Sequence, residues 1–148
     1  MLVRLLPEQA ARHWKELEDI LLRSLPPDVY LNEESTTNIL QAINLGTLVI
    51  WVSVTPNDKE KTTTIHAVVS TMIANDSITG TRNLLIYTLT AVGHIPDDEY
   101  VEGYKNIVAY AKSRGCHKVI AFSNNDRVLD VAKKFNVDAS WRMLQINL

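Results

Sequence analysis

Apolar residues recur along the chain at two spacings, and each change of spacing marks a change of element. Ala10, Trp14, Leu17, Leu21 and Leu25 follow one another at three- and four-residue steps, which predicts an amphipathic helix. Pro7 and Glu8 suit its first turn, "LPPD" at Leu25 to Asp28 ends it, and the preceding "LVRLL" reads as a short strand stopped by Pro7. A second, shorter helix is predicted from Ser35 as cap, with Ile39, Leu40 and Ile43 inward and Gly46 as its stop. From Thr47 the pattern becomes that of strands: "TLVIWVSV", the turn-forming "TPNDKEK", the return strand "TTIHAVVSTMIA", a second loop "NDSITGTRN", and a third strand "LLIYTLTAV". A helix over Asp97 to Arg114, a strand at "KVIAF", a helix from about Asp126 to Phe135 and a final strand at "SWRMLQINL" complete the prediction.

The order β-α-α-β-β-β-α-β-α-β joins an antiparallel meander to crossover units, which predicts an α/β (α+β) domain: a central mixed, mostly antiparallel sheet flanked by helices. A doubly wound parallel sheet is the alternative, and it needs helices where "TPNDKEK" and "NDSITGTRN" stand. No internal repeat interrupts this order, and 148 residues with 46% hydrophobic and 22% charged fit one domain over 1–148. A net charge of -2 provides no field for gathering phosphates, so nucleic acid is not the expected partner. The single cysteine, Cys116, makes no internal disulfide and no thiolate cage. No apolar run has the length of a membrane span and "LVRLLPEQ" after Met1 is not a signal-peptide pattern, so the expectation is a cytoplasmic protein without membrane contact.

The chemistry concentrates in "LLIYTLTAVGHIPDDEYVEGYKNIVAYAKSRG", Leu84 to Gly115, a strand, turn and helix of the kind whose helix start attracts an anion. Together with the element order, this stretch resembles the GNAT superfamily, the GCN5-related N-acetyltransferases, over nearly the whole chain. The resemblance implies that the turn holds the pyrophosphate of acetyl-CoA through a Q/R-x-x-G-x-G/A motif, with Ala111 and Gly115 matching the usual end of the helix. In that register Ile95, Asp98 and Tyr100 take the three motif positions, and none matches. Asp97, Asp98 and Glu99 are expected to satisfy the free N–H groups of the first helical turn themselves. A slipped register would bring Val92, Gly93 and His94 into the cofactor turn.

The second stretch with family character is "VIAFSNNDRVLDVAKKFNVDASW". The resemblance makes Asn125 the asparagine that precedes the general acid, and the acid's own place falls on Ala132, which has no proton to give. Asn136 stands where a glycine usually ends this helix and tolerates the same left-handed backbone. The third strand carries no glutamate to deprotonate an amine, and its only titratable side chain is Tyr87, a poor base at neutral pH. Tyr87 and Tyr104 are the acid/base candidates if the chain is an enzyme.

Elsewhere, Cys116 and His117 are adjacent at a strand start and should face opposite ways. His13, His66, His94 and His117 have no metal-ligand spacing, so no metal is expected. His66 reads as a satisfied strand histidine. Trp14, Trp51 and Trp141 are core or interface aromatics, and Arg82 suits a carboxylate on another chain. The final strand would place Leu144, Ile146 and Leu148 on one face, which can join the core, and Trp141, Met143, Gln145 and Asn147 on the other, where Trp141 and Met143 suit an interface. The expectation is a GNAT-like domain with a degenerate site and no cofactor, acting as a structural or protein-protein interaction module with a protein partner or a second copy of itself. The resemblance extends to members encoded among bacteriophage structural genes, which implies incorporation in a virion assembled in the cytoplasm. The alternative is an acetyl-CoA-dependent N-acetyltransferase with a divergent turn.

Overall fold

The computed structural model describes all 148 residues. Strand β1 (Leu2–Arg4) leads into α1 (Pro7–Arg12), α2 (Trp14–Leu22) and α3 (Ser35–Asn44). The meander follows as β2 (Leu48–Asn57), β3 (Thr62–Asn75) and β4 (Arg82–Ala91), then α4 (Asp97–Ser113), β5 (Lys118–Ala121) and α5 (Asp126–Lys133). The five strands lie in sequence order in one sheet, antiparallel except for the parallel pair β4 and β5. The predicted fold class therefore holds, and the parallel alternative does not.

Both faces of the sheet are covered, which is why "TLVIWVSV" reads as an unbroken apolar run rather than a strict alternation. Leu48, Ile50 and Val52 of β2 pack with Ala10, Leu17, Leu21 and Ile43 beneath α1, α2 and α3. On the other face Trp51 and Val69 pack with Leu84, Ile107 and Ala111 beneath α4. Trp51 donates from Nε1 to Thr71 Oγ1 at 2.9 Å and meets the Tyr110 ring edge-on at 5.0 Å. Gly46, at φ 72°, and Asn136, at φ 55°, hold the left-handed conformations that end the helices before them.

Three local predictions are corrected. The first long helix breaks at His13, whose φ of -102° and ψ of 23° lie outside the helical range, so α1 and α2 are separate. Ser35 is the first residue of α3 rather than its cap. Its hydroxyl binds Asn32, and the Asn32 side chain accepts from the Glu34 N–H at 3.0 Å, so the capping bonds form one turn earlier.

The largest correction concerns the C-terminal segment. "SWRMLQINL" forms no strand, and 137–148 contains no regular element. Neither face joins the core: Leu144 is 93% exposed, Ile146 87% and Trp141 86%, with Met143 at 41%. A strand exists only when a neighbour takes its backbone N–H and C=O groups, and no strand of this chain does so for the segment. Correspondingly, β5 is the sheet's last strand, and its outer edge is unpaired.

Leu144→Ala should leave the unfolding free energy of the monomer within about 0.5 kcal/mol of its starting value. Leu21→Ala, in the sealed core, should cost about 2 to 5 kcal/mol. Urea denaturation of dilute protein measures both.

Candidate functional site

Two strand irregularities shape the end of the sheet where α4 begins. Pairing of β2 with β3 passes from Ser53↔Ala67 to Val54↔Ile65, leaving His66 as an extra residue, and pairing of β3 with β4 passes from Ser70↔Thr88 to Thr71↔Ile86, leaving Tyr87 extra. Each is a bulge, which bends its strand and re-aims a side chain. Beyond the last β4–β5 pair, Ile86↔Ala121, β4 continues to Ala91 without β5. The sheet thus opens between its two parallel strands.

Around this opening the polar side chains are bonded within the protein. On the α1–α3 face, Thr88 exchanges a hydrogen bond with Ser70 at 2.6 Å, and Thr90 donates to the Ile20 carbonyl at 3.0 Å and meets the Ser24 hydroxyl. Tyr87 packs against the core on that same face. Burial, with Asp28 nearby, pushes its phenol above the ordinary value near 10. Tyr104 lies on α4, stacked on Phe135 with ring centroids 4.1 Å apart. The two candidate acid/base tyrosines are therefore on opposite faces of the sheet and do not converge. Ala132 is half-buried on α5, and Asn125 caps that helix, its side chain accepting from the Arg127 and Val128 N–H groups at 3.0 and 3.4 Å.

The turn from β4 to α4 differs from both sequence expectations. The N–H groups of Val92 and Gly93 donate to the His66 carbonyl at 2.9 and 3.2 Å, so they are not free for a phosphate. Gly93 has no left-handed φ, and a side chain there would meet nothing within 4 Å, so the backbone does not require a glycine. His94 is an exposed loop residue.

The carboxylates expected to occupy the helix start point elsewhere. No side chain caps α4. Glu99, its side chain only 10% exposed, accepts from the Ser53 hydroxyl and, at 3.0 Å, from the Thr55 hydroxyl, with His66 Nε2 at 3.5 Å. His66 also bonds Thr55 at 2.9 Å, so the expectation of a satisfied strand histidine holds. Asp97 lies between Arg127 and Lys134 at 3.6 and 3.5 Å. The N–H groups of Asp97 and Asp98 are left without an acceptor in the protein: Glu99 is drawn to the sheet, Asp97 to α5, and the Asp98 carboxylate makes no capping bond. Tyr100 takes the Arg127 guanidinium over its ring at 5.8 Å.

Burial pushes the Glu99 carboxyl up, but hydrogen bonds from Ser53 and Thr55, with the amino terminus and His66, outweigh it and hold the group below the usual carboxylate range. Cys116 packs toward the α4 face, whereas His117 is exposed and its Nδ1 accepts from the Arg82 N–H at 3.1 Å, so the two form no dyad. Arg82 opens β4 and donates from Nε to the Arg114 carbonyl at 3.0 Å. No group of three or more His, Cys, Asp or Glu side chains is arranged for a metal, and no helix is long and apolar enough to cross a membrane.

No family model matches the sequence, and no curated protein is similar to it at a significant level. Solved structures are similar over the whole chain. A predicted acetyltransferase from Clostridium acetobutylicum, solved with acetyl-CoA, has 16% identity and a TM-score of 0.69 over 99% of this chain and 95% of that one. AAC(6')-Iy in complex with the bisubstrate analog CoA-S-monomethyl-acetylneamine has 8% identity and a TM-score of 0.69, covering 100% of this chain and 97% of the other. Glucosamine-6-phosphate N-acetyltransferase from Arabidopsis thaliana has 16% identity and a TM-score of 0.62 over 99% and 97%. At these identities the likeness is one of fold, and the fold is that of the GNAT acetyltransferases.

Because Glu99 is depressed in the folded state, its stabilisation is complete above the ordinary glutamate value and is lost as pH falls through the lower folded value. Glu99→Gln should cost about 1 to 3 kcal/mol at neutral pH and flatten that acid limb. Thermal unfolding of both proteins between neutral and acidic pH measures it.

Proposed function

We propose that this GNAT-fold domain works by binding rather than by acyl transfer, and that its partner is a second copy of the chain. The observation that carries the first part is the state of the groups at the sheet opening. Thr88 and Thr90 are committed to internal hydrogen bonds, Tyr87 is made a still poorer base by burial, and Ala132 stands where the family resemblance calls for an acid. Proton transfer needs a group within reach whose pKa lies near the working pH, and β4 offers none.

The second part rests on two unpaired features of the same molecule. Residues 140–148 carry a strand pattern without a strand, and β5 presents an edge without a neighbour. Two copies supply both features to each other in a closed two-fold exchange, in which Trp141 and Met143 are the anchors and the two exposed β5 edges are covered. A structural component of an assembly fits this reading, in keeping with the resemblance to proteins encoded among bacteriophage structural genes, and incorporation in a virion follows from it.

A specific observation favours a second reading, an acetyl-CoA-dependent N-acetyltransferase: the unaccepted N–H groups of Asp97 and Asp98 at the start of a 17-residue helix. Like charges at this turn would each oppose a pyrophosphate by about 2 to 4 kcal/mol at roughly 4 to 8 Å and an effective dielectric near 20. Arg127 and Lys134 beside Asp97 offset that repulsion with charges of the opposite sign at similar range. In this reading those two N–H groups and two cations hold the pyrophosphate, the free edge of β4 beyond Ile86 lies along the cofactor arm, and Tyr87 stays protonated as a proton donor. Bound acetyl-CoA would supply the activated acyl group for transfer to an amine. Its known complexes belong to the structural neighbours, one with acetyl-CoA and one with a CoA-linked analog.

Sedimentation and ligand-dependent melting separate the readings. The native protein should sediment as a dimer, and Trp141→Ala should weaken association by about 2 kcal/mol without changing monomer stability. A monomer at all concentrations overturns the self-association. Acetyl-CoA should leave the melting temperature unchanged. A ligand at a hundred times its Kd adds about 2.7 kcal/mol, several degrees for a domain of this size. An upward shift absent with a plain anion transfers the conclusion to the acetyltransferase.

A further inference from the structure

At the far end of α4 from the candidate cofactor turn, the sheet and the helix enclose a second cleft of about 230 Å³. Its wall is formed by the start of β4, the end of β3, the start of β2 and the last turns of α4, including Arg82, Arg114, Asn75, Tyr110, Val49 and Ile73. About nine residues of β4 at roughly 3.3 Å each separate the two ends of the strand, so the two sites do not overlap.

The lining contains two guanidinium groups and no carboxylate. Arg82 is half-buried and held in place by its Nε bond to the Arg114 carbonyl at 3.0 Å. Its other two guanidinium nitrogens have no acceptor, and the Arg114 side chain makes no hydrogen bond or ion pair. Outside the lining, the Arg4 guanidinium lies 5.8 Å from the centroid of the Tyr110 ring. The nearest hairpin acid, Asp76, is engaged by the Ile78 N–H and the Thr79 hydroxyl at 2.9 and 2.8 Å.

Part of this positive charge answers the carbonyls at the C-terminal end of α4. That end carries about half a negative charge, against two full charges in the cleft, so the excess is positive. Charge alone does not choose the anion, because attraction to the arginines and repulsion by the carbonyls both double for a doubly charged phosphate; the choice rests on the lining, which offers neither a helix N-terminus nor a lysine. The planar fork of an arginine matches a carboxylate in two parallel hydrogen bonds, and Val49, Ile73 and the Tyr110 ring give an apolar body somewhere to lie.

We propose that this cleft is a second ligand site that takes a small organic monocarboxylate, its acid group between Arg82 and Arg114 and its apolar part against Tyr110 and Val49. The site is independent of the sheet opening and of the C-terminal segment, so it holds whether or not the domain binds acetyl-CoA or dimerises.

The test is titration of the isotopically labelled full chain with millimolar benzoate, acetate or inorganic phosphate, followed by the NMR signals of the Arg82 Nε–H and of Tyr110. Benzoate should shift both saturably, acetate more weakly, and phosphate more weakly than benzoate. Arg114→Gln should reduce benzoate affinity by about tenfold, the loss of one charge-assisted contact, while leaving the melting temperature of the free protein unchanged. Absence of saturable shifts with benzoate, an unchanged affinity in Arg114→Gln, or tighter binding of phosphate than of benzoate overturns the proposal.

Discussion

A single carboxylate fixes where helix α4 starts. Glu99 is taken almost wholly out of water, and an isolated charge there would be costly, so its position depends on the hydroxyls of Ser53 and Thr55 on β2 and on His66 of β3. Three partners on two strands hold one residue of the helix's first turn. The helix is then laid along the layer formed by Trp51, Val69 and Leu84, with Ile107 and Ala111 facing down. The same bonds turn Glu99 away from its own helix terminus. That is why an unusually acidic first turn still has free N–H groups at Asp97 and Asp98.

The two bulges act on opposite faces of the sheet. The extra residue in β3 brings His66 to Glu99 beneath α4, and its carbonyl takes the N–H groups of Val92 and Gly93. The extra residue in β4 sends Tyr87 toward α3, where it lines a cleft of about 210 Å³ with Asn38, Ile39 and Met72. Beyond that bulge β4 parts from β5. The opening and the raised pKa of Tyr87 therefore share one origin, the change of register that commits the phenol to the helical layer.

Much of this architecture was legible in the sequence, because periodicity and turn chemistry are local properties. The change from three- and four-residue spacing to the "TLVIWVSV" run, the stops at Gly46 and Asn136, and the acidic start of α4 all appear in the structure. What could not be read was which partner a polar side chain would choose. Asp97, Asp98 and Glu99 look like caps when only their own helix is considered, yet the hydroxyl donors and cations that draw off Asp97 and Glu99 lie 30 or more residues away in sequence. The Ser53, Thr55, His66 and Glu99 cluster left a weaker signal, polar residues on the α4 side of otherwise apolar strands. The alternation in "SWRMLQINL" likewise specifies the two faces of a strand but not the edge that would complete it.

The charge arrangement at the two ends of α4 follows from the helix itself. Its N-terminal end is positive, and the acids that should neutralise it are diverted to β2, β3 and α5. Its C-terminal end is negative, and one arginine nitrogen on its carbonyls would suffice, yet Arg82 and Arg114 bring two full charges. At the first end neutralisation is incomplete, and at the second it is exceeded. Both ends are left with donors facing solvent and no acceptor, so a helix whose dipole has opposite signs at its termini presents anion-seeking groups at each.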